Sequence, residues 1–352
     1  GDVVTDTFNY TVSDGTATDT AVITITVIGI NDTPVAQNDV GVITEDSTLT
    51  VTNGTNANES GGSYNATGEH SGDVINTSSG SHQDSDADAS ASLTVTQIKK
   101  NGGSNSSVSS GSSYNSSGTS VTGTYGTLTI GADGSYTYAA TADAADGIAS
   151  GETADDVFVY TLSDGTETTT ANITITIIGG NDNPIAQNDV GVIMEGSTLT
   201  VANSTNANVS GSFDATGEHS GDVIDTSSSS HTDTDPDTSD TLTITHIKKD
   251  GGSNSTVSSS SSYNSSGTAV TGAYGTLTIG ADGSYKYVAQ SDISGFDAGE
   301  TLTDTFTYTV SDGTATTTAN IVITLLGDDG SSNNAPVAQN LSLIHISEPT
   351  RL

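Results

Sequence analysis

The chain has 352 residues, and its six lysine and arginine residues face 43 aspartate and glutamate residues, which gives a formal net charge of −37. Such a surface repels nucleic-acid phosphates and anionic lipid and attracts divalent cations, so nucleic acid is excluded as a partner. The chain has no cysteine, so disulfides do not hold it together.

The first predicted elements are two strands joined as a hairpin. Residues 5–12 alternate Phe8, Tyr10 and Val12 with polar residues, a pattern typical of a half-buried strand. Asp14-Gly15 is a tight-turn signal. The returning strand carries apolar residues at every second position along one face, namely Ala21, Ile23, Ile25 and Val27.

The elements that follow are also strands, separated by polar inserts. Leu93 and Val95 mark a further strand, and residues 125–138 predict a second hairpin that turns at Asp133-Gly134. A short turn of helix is predicted near 143–148. Inserts rich in serine, glycine and asparagine are predicted to be long surface loops or weakly paired hairpins, in part disordered, at residues 53–82, 101–120, 203–231 and 251–268.

The chain repeats itself. The segment NDTPVAQNDVGVITEDSTLTV starts at Asn31, and NDNPIAQNDVGVIMEGSTLTV starts at Asn181. Such self-similarity predicts tandem domains of one kind, each of ordinary domain size. The predicted limits are the last strands of one repeat at 1–30, complete repeats at 31–180 and 181–330, and the start of a further repeat at 331–340.

The fold class follows from the strands. Several short strands, turns that contain glycine and almost no helical pattern predict an all-β chain of tandem Ig-like β-sandwich domains with Greek-key connections. Residues 341–352 do not fit this pattern, because they break the repeat and bring the chain's only arginine. Back-translated, they resemble the adapter of a sequencing library, so we interpret them as a translated artefact and exclude them from the functional argument.

Alternating aspartates recur at the same register in both complete repeats. Alternate residues of an extended segment point to the same side, so the three carboxylates of a run can converge where the loop curves. Calcium takes six to eight oxygen ligands, and such a run can supply several of them. We therefore predict calcium sites, the alternative being a solvated acidic loop before a strand. The residues are Asp84, Asp86 and Asp88, and Asp233, Asp235 and Asp237.

Taken in order, these pieces resemble VCBS-type repeats, the cadherin-like Ig-fold modules of large bacterial RTX-type adhesins. The matching pieces are NDxPxAxND, the ED or EG before STLTV, the DxDxD run before LTV, the YGTLTIGADGSYTY hairpin and the DxFxYTxSDG strand. The resemblance implies extracellular adhesion, export by a type I secretion system and calcium-stiffened rods. The inserts depart from the family pattern, which leaves ligand binding at the loops open.

The segments between repeats look like the NDN-Pro linker of cadherins. In that family, linker oxygens share calcium with a glutamate near the start of the next domain, and the metal ties adjacent domains together. An Asx-turn, with proline setting the chain direction, is the alternative, and both can hold. On the resemblance, the ligands are Asn31, Asp32, Asp39 and Glu45 at one boundary and Asn181, Asp182, Asp189 and Glu195 at the next.

The candidate catalytic groups are weak, and the sequence predicts no enzyme. Paired carboxylates suggest a glycosidase, but here the acids recur in every repeat and nothing in the sequence places one in an apolar pocket. No serine lies in a G-x-S-x-G motif between a strand and a helix. Four histidines could form a transition-metal site, although exposed loop histidines are the favoured interpretation. They are His70, His82, His219 and His231.

The predicted function is that of a structural and adhesive repeat segment of a secreted bacterial surface protein, with calcium as its ligand. Surface glycans or other cells are further partners, reached through domains outside this segment. The alternatives are spacer repeats of a large secreted polysaccharide-active enzyme and a carbohydrate-binding β-sandwich. No apolar run approaches the ~20 residues of a membrane span, so no membrane insertion is predicted. Aromatic residues in the inserts that could contact a glycan are Tyr64, Tyr114, Phe213 and Tyr263.

Overall fold

A computed structural model shows an all-β chain. The turn of helix predicted near 143–148 is a series of tight turns, in which the Ala145 amide donates to the Ala142 carbonyl at 2.7 Å. No helix in the described part of the chain is long and apolar enough to cross a membrane. The described residues are 2–52, 58–59, 72–76, 82–202, 208–209, 221–224, 231–291 and 293–327.

The chain divides into two compact units. The first takes the described residues up to Asp182 together with Pro236–Asp240, and the second takes Asn183–Asp235 and the residues from Thr241 on. The boundaries predicted for the repeats stay predictions. The predicted repeat start at 331–340 and the predicted artefact at 341–352 lie outside the described residues.

The first two strands form an antiparallel pair, β1 (Val3–Ser13) and β2 (Thr18–Ile28). Asp14 stabilises the turn by accepting hydrogen bonds from the amides of Thr16 and Ala17 at 2.8 Å and 2.7 Å. The predicted half-buried face is wrong for this pair, since Phe8 is 50% exposed. The reason is that the pair is a two-stranded sheet, and the described residues place no second sheet against it.

The first complete repeat contains two five-stranded sheets, with strand orders β5-β4-β10-β9-β8 and β3-β12-β11-β6-β7. The strands are β3 (Asp39–Thr44), β4 (Thr48–Val51), β5 (Asn58–Glu59), β6 (Thr94–Lys100), β7 (Ser106–Ser107), β8 (Thr119–Thr122), β9 (Thr127–Ile130), β10 (Tyr136–Ala139), β11 (Thr153–Ser163) and β12 (Thr168–Ile178).

A single hydrophobic core joins the two sheets of this repeat. Leu49 and Tyr138 come from one sheet, Phe158 and Ile175 come from the other, and all four are 0% exposed. Tyr138 and Phe158 meet edge to face with ring centroids 6.0 Å apart. Alternation along the strands therefore buries one face of each sheet, and the predicted β-sandwich is confirmed.

One strand pairing in this sandwich is parallel. β3 runs alongside β12 in the same direction, with Asp39 opposite Ile173 and Thr44 opposite Ile178. The other pairings of the repeat are antiparallel. Because the two strands are parallel, the residues that follow β3 lie beside the residues that follow β12. This pairing positions the acidic site described below.

The second complete repeat has the same two sheets, with orders β13-β22-β21-β16-β17 and β15-β14-β20-β19-β18. β13 again runs parallel to the last strand of its repeat. The strands are β13 (Asp189–Met194), β14 (Thr198–Val201), β15 (Asn208–Val209), β16 (Thr243–Lys249), β17 (Ser255–Thr256), β18 (Thr268–Thr271), β19 (Gly275–Ile279), β20 (Tyr285–Ala289), β21 (Thr301–Ser311) and β22 (Thr316–Leu326).

The inserts differ in how much of them the structure describes. The insert at 101–120 contains β7 and the start of β8, and a further bridge pairs Ser113 with Ser116, so it is a weakly paired hairpin. The insert at 251–268 repeats this arrangement with β17 and β18. The inserts at 53–82 and 203–231 lie mostly outside the described residues, together with Tyr64 and Phe213.

Candidate metal centre

The aspartates of the first DxDxD run lie in two different surroundings, the domain interior and the linker. Asp84 is 4% exposed and turns into its own domain. Its carboxylate accepts a hydrogen bond from the Gln37 amide at 2.7 Å and lies 2.9 Å and 3.1 Å from the Tyr160 hydroxyl. Burial raises the pKa of Asp84 to about 6. Asp84 thus belongs to the domain interior.

The second repeat places Asp233 in the same way. The Gln187 amide donates to its carboxylate at 2.7 Å, and the Tyr308 hydroxyl lies 3.0 Å and 3.1 Å from its two oxygens. Burial raises the pKa of Asp233 to about 7. The arrangement is therefore a property of the repeat.

The other end of each run contacts the linker. The Asp32 amide donates to Asp88 Oδ2 at 2.9 Å, and the Asp182 amide donates to Asp237 Oδ2 at 2.9 Å. Asp86 Oδ1 accepts a hydrogen bond from the Asp88 amide at 2.7 Å. The expected convergence of all three carboxylates therefore does not hold. Extended pairing is limited to the bridge at residue 85, and the chain bends at residues 87 and 88, which ends the alternation.

Glu45 lies just after β3, beside the end of β12. Its amide donates to the Ile178 carbonyl at 3.0 Å, and its Oε1 accepts a hydrogen bond from the Gly180 amide. Burial raises the pKa of Glu45 to about 7, and the charges of Asp182 and Asp237 act in the same direction. Glu45 Oε2 is buried and has no hydrogen-bond partner among the described residues.

This geometry corrects the predicted grouping of Glu45. The cadherin resemblance placed it with Asn31 and Asp32, the linker before its repeat, but it contacts the linker that follows its repeat. The cause is the parallel pairing of β3 with β12, which brings the carboxyl ends of the two strands together. The Asn31 amide group donates instead to Asp164 Oδ2 at 2.9 Å.

The loop at residues 235–240 adds further carboxylates. One ligand atom from each of Asp235, Asp237 and Asp240 lies within 4.8 Å of the others. Two oxygens on opposite sides of one calcium ion, each about 2.4 Å from it, are about 4.8 Å apart. Asp240 was not predicted, because it stands outside the alternating run. We name Glu45, Asp182 and Asp237 the junction cluster.

The remaining boundary residues make local contacts. The Asn181 side chain donates to the Asp182 carbonyl at 2.6 Å, a local contact within this linker. Glu195 Oε1 accepts a hydrogen bond from the Ile293 amide at 2.5 Å. The chain beyond residue 327, which follows β22, lies outside the described residues.

Asp39 and Asp189 belong to the interior and not to the linkers, which corrects their predicted grouping. Each is the first residue of its strand and is 0% exposed. Burial raises the pKa of Asp39 to about 9, and the charge of Asp84 adds to the effect. Burial likewise raises the pKa of Asp189 to about 8. Asp39 and Asp189 are therefore buried in the domain interior, as are Asp84 and Asp233.

Sequence reasoning missed Asp73 and Asp222, which are both 0% exposed. They lie in inserts that their composition marked as surface loops. The available signal was the identical segment GDVI at 72–75 and 221–224, because an apolar pair repeated inside a polar insert indicates an anchored segment. The anchor is Val74 in the first repeat and Val223 in the second, each 0% exposed in its core.

Two of the four histidines are in the described part of the chain. The Nδ1 atoms of His82 and His231 lie 2.5 Å from the carbonyls of Asn38 and Asn188, which fits an N–H donating to each carbonyl. Both histidines lie at partly exposed positions. His70 and His219 lie outside the described residues.

The chemistry of the junction cluster fits a hard cation. The groups there are carboxylates, and Glu45 Oε2 is buried without a hydrogen-bond partner among the described residues. Calcium binds carboxylate and carbonyl oxygens, whereas thiolate and imidazole ligands favour zinc and copper. The residues present therefore fit calcium chemically, and the residues that would hold it are Glu45, Asp182 and Asp237.

A family model of the bacterial cadherin-like domain matches residues 31–179 and again residues 181–327. No curated protein sequence matches the chain. Among solved structures, the chain is similar to extracellular cadherin domains 1-5 of protocadherin gamma B2, at 12% identity over 92% of this chain and 45% of that chain, with a TM-score of 0.41.

Two further solved structures illustrate the range of similar proteins. Drosophila N-cadherin EC1-4 is 11% identical over 92% of this chain and 58% of that chain, with a TM-score of 0.23. The endo-fucoidan hydrolase MfFcnA4 from glycoside hydrolase family 107 is 17% identical over 92% of this chain, with a TM-score of 0.21. The chain spans 34% of that hydrolase and 45% of the protocadherin structure.

Proposed function

Because the chain belongs to the family of bacterial cadherin-like domains, we propose that it is a structural and adhesive repeat segment of a secreted bacterial cell-surface adhesin. In this proposal calcium rigidifies the repeats into a spacer for cell adhesion or biofilm formation. The repeats extend a binding domain away from the cell, and their own task is mechanical.

The observation that carries the proposal is the junction cluster. Glu45 Oε2 is buried without a hydrogen-bond partner among the described residues, beside the charges of Asp182 and Asp237. Like charges at close range repel strongly where water is excluded, so the arrangement is costly without a cation. A divalent ion would offset this repulsion and restrain the chain where one repeat passes into the next.

The overall charge supports the same mechanism. A formal net charge of −37 makes the metal-free chain repel itself and favours loose, mobile arrangements of the acidic segments. Calcium bound at several acidic clusters would lower this charge and stiffen the segment. The chain thus acts as a spacer whose rigidity depends on the calcium concentration outside the cell.

The type of repeat and the kind of adhesin are proposed from the sequence motifs. We propose that the repeats are of the VCBS type and come from an RTX-type adhesin exported by a type I secretion system. The motifs from NDxPxAxND to DxFxYTxSDG, in fixed order in both repeats, support this assignment. The location proposed for the protein is therefore extracellular, at the bacterial cell surface.

We further propose that the segment has no catalytic activity. Its inward-pointing acids, such as Asp39 and Asp84, are at most 4% exposed and so are closed to a polymeric substrate. The acidic groups also recur in both repeats, as expected of structural sites. Calcium is the proposed direct ligand, and glycans or other cells are contacted through domains outside this segment, with no nucleic acid or membrane insertion involved.

The proposal is tested by calcium removal. We expect the Tm of the chain to fall in excess EDTA and to recover on adding calcium, because the carboxylates repel one another without the ion. Small-angle X-ray scattering should show a stiffer chain with calcium than without. The paired substitution Glu45→Gln and Asp182→Asn should remove part of the stiffening.

A matched control is Asp155→Asn, which removes one charge from an exposed strand position that contacts Thr176. It should leave the response to calcium unchanged. The proposal is abandoned if Tm and scattering are the same in EDTA and in calcium.

A further inference from the structure

Each repeat contains a second group of acids, separate from the junction cluster and enclosed by the domain. In the first repeat these are Asp39, Asp73 and Asp84, with exposures of 0%, 0% and 4%. They come from three parts of the chain, namely the start of β3, the insert before β6 and the DxDxD run. We name them the interior cluster.

The Tyr160 hydroxyl faces three oxygen acceptors at this place. The Tyr160 hydroxyl lies 2.9 Å from the Gln37 carbonyl and 2.9 Å and 3.1 Å from the two oxygens of Asp84. A hydroxyl carries one proton, so it can satisfy one of these three acceptors at a time. The charge of Asp39 acts on the same hydroxyl and, with burial, raises the pKa of Tyr160.

Asp73 supplies an independent observation that points to a cation. Its Oδ1 accepts hydrogen bonds from the amides of Ile75 and Asn76 at 2.9 Å and 2.6 Å, which fixes the carboxylate. Its Oδ2 is buried and has no hydrogen-bond partner among the described residues. A buried carboxylate oxygen left without a partner is destabilising, so a native fold normally provides one.

Asp73 acts electrostatically on the other two acids. Its negative charge contributes to the raised pKa of Asp39 and of Asp84, after burial in both cases. The nearby His82 carries at most one positive charge, and its Nδ1 contacts the Asn38 carbonyl. One histidine cannot offset three carboxylates, so a charge remains to be balanced when the acids are ionised.

The second repeat reproduces this arrangement. Asp222 Oδ1 accepts a hydrogen bond from the Ile224 amide at 2.9 Å. The Tyr308 hydroxyl lies 2.8 Å from the Gln187 carbonyl and 3.0 Å and 3.1 Å from the oxygens of Asp233. Asp189, Asp222 and Asp233 therefore influence one another in the second repeat as the corresponding acids do in the first.

We propose that each complete repeat encloses one calcium ion in its interior cluster, bound by Asp39, Asp73 and Asp84 in the first and by Asp189, Asp222 and Asp233 in the second. The ligands offered are oxygens, as calcium requires, and the chain has no cysteine to favour a softer metal. This site is distinct from the junction cluster and does not depend on the proposed adhesin function.

The interior ion would act on the stability of the single domain. It joins the segment at 72–76, whose Val74 is 0% exposed in the core, to the first residue of β3 and to the DxDxD run. These parts are distant in the sequence, so binding would close long loops, and metal affinity would become folding free energy. The junction ion would instead act on the stiffness of the chain between repeats.

Terbium, a luminescent substitute for calcium, provides the test, with tyrosine as its only strong sensitiser because the chain has no tryptophan. Tyr160 and Tyr308 contact the interior clusters directly, so terbium bound there should emit strongly on tyrosine excitation. The full chain carrying Asp73→Asn and Asp222→Asn should lose most of this emission. In equilibrium dialysis it should also lose one bound calcium per altered repeat.

The control for site identity is the paired junction variant, Glu45→Gln with Asp182→Asn. It should keep the tyrosine-sensitised emission and lose calcium bound at the junction. The two variants thereby separate failure of this inference from failure of the proposed function. If only the junction variant loses calcium, the interior site is rejected and the spacer proposal stands.

A second variant addresses the risk that loss of an interior carboxylate prevents folding. Tyr160→Phe with Tyr308→Phe keeps every carboxylate and removes the tyrosine that contacts each interior cluster, so emission should fall while the calcium count stays the same. Unchanged emission in this variant overturns the inference. The inference is also overturned if the chain carrying Asp73→Asn and Asp222→Asn binds calcium and terbium as before. The interior acids would then bind protons and no metal ion. Uptake of zinc but not calcium would also overturn it.

Discussion

At the scale of single residues, buried carboxylates in this chain differ in whether all their oxygens are satisfied. Asp156 is 1% exposed, and its oxygens accept hydrogen bonds from the amides of Thr124 and Tyr125 and from the Tyr138 hydroxyl. Glu45 and Asp73 each keep one buried oxygen without a partner among the described residues. Asp156 is thus a structural hydrogen-bond acceptor, and the other two are candidates for metal binding.

A prediction follows for Asp156→Asn. The amide can accept with one oxygen only and must bury two N–H donors, so we expect a loss of about 1–3 kcal/mol in the free energy of unfolding. The loss should be the same in calcium and in EDTA, as measured by urea unfolding. Asp155→Asn, at the exposed neighbouring position, should be nearly neutral. A loss that appears only in calcium would show that Asp156 is a ligand instead.

At the scale of elements, similar strand sequences have different burial in different surroundings. β1, β11 and β21 all alternate apolar and polar residues and pair with the strand that follows them. In β11 and β21 every second side chain from the fourth residue on is buried in the core, whereas β1 is exposed throughout. Alternation therefore predicts which side chains share a face, and the facing sheet decides whether that face is buried.

Close packing around β3 gives a second prediction. A Cβ added at Gly41 would lie 2.8 Å from Leu49 Cδ2 and 2.9 Å from Ile175 Cδ1. Overpacking of this kind costs typically ~1–3 kcal/mol, so Gly41→Ala should lower the free energy of unfolding by that amount, as measured by urea unfolding. Gly191→Ala should do the same in the second repeat, where the added Cβ would lie 2.7 Å from Leu199 Cδ2.

The control for this prediction is Gly147→Ala. An added Cβ there meets no atom nearer than 3.7 Å, so stability should be unchanged or slightly raised. Equal effects at Gly41 and Gly147 would mean that the two sheets can move apart at little cost.

At the scale of the whole molecule, the buried acids make metal-free stability depend on pH. Their pKa values in the folded chain are raised above the unfolded values, chiefly by burial, so the folded state binds protons more tightly. The contribution of these protons to the free energy of unfolding is complete below about pH 4. It is lost as the pH rises through the pKa values of the folded chain. Those values are about 9 for Asp39, 8 for Asp189, 7 for Glu45 and Asp233, and 6 for Asp84.

We therefore expect the Tm in EDTA to fall steadily between about pH 5 and about pH 9. Saturating calcium should flatten this dependence, because the ion replaces the protons as the positive partner of the carboxylates. Thermal unfolding in the two buffers across that range measures both effects. A Tm in EDTA that rises with pH over the same range would contradict the burial of these acids.

The sequence by itself determined the repeat, the all-β class and the residue types of the candidate sites. These follow from local patterns, since alternation, glycine turns and runs such as the one containing Asp84 can be read from near neighbours in the chain. It also determined that the chain must balance many negative charges.

Tertiary structure alone decided which acids meet. Glu45 joins Asp182 because β3 and β12 run parallel, and no sequence pattern shows the direction in which two distant strands pair. Asp73 reaches the interior because Val74 anchors its insert in the core, against the surface position that the insert's composition predicted. Contacts between distant segments depend on how the sheets pack, and packing is a property of the whole domain.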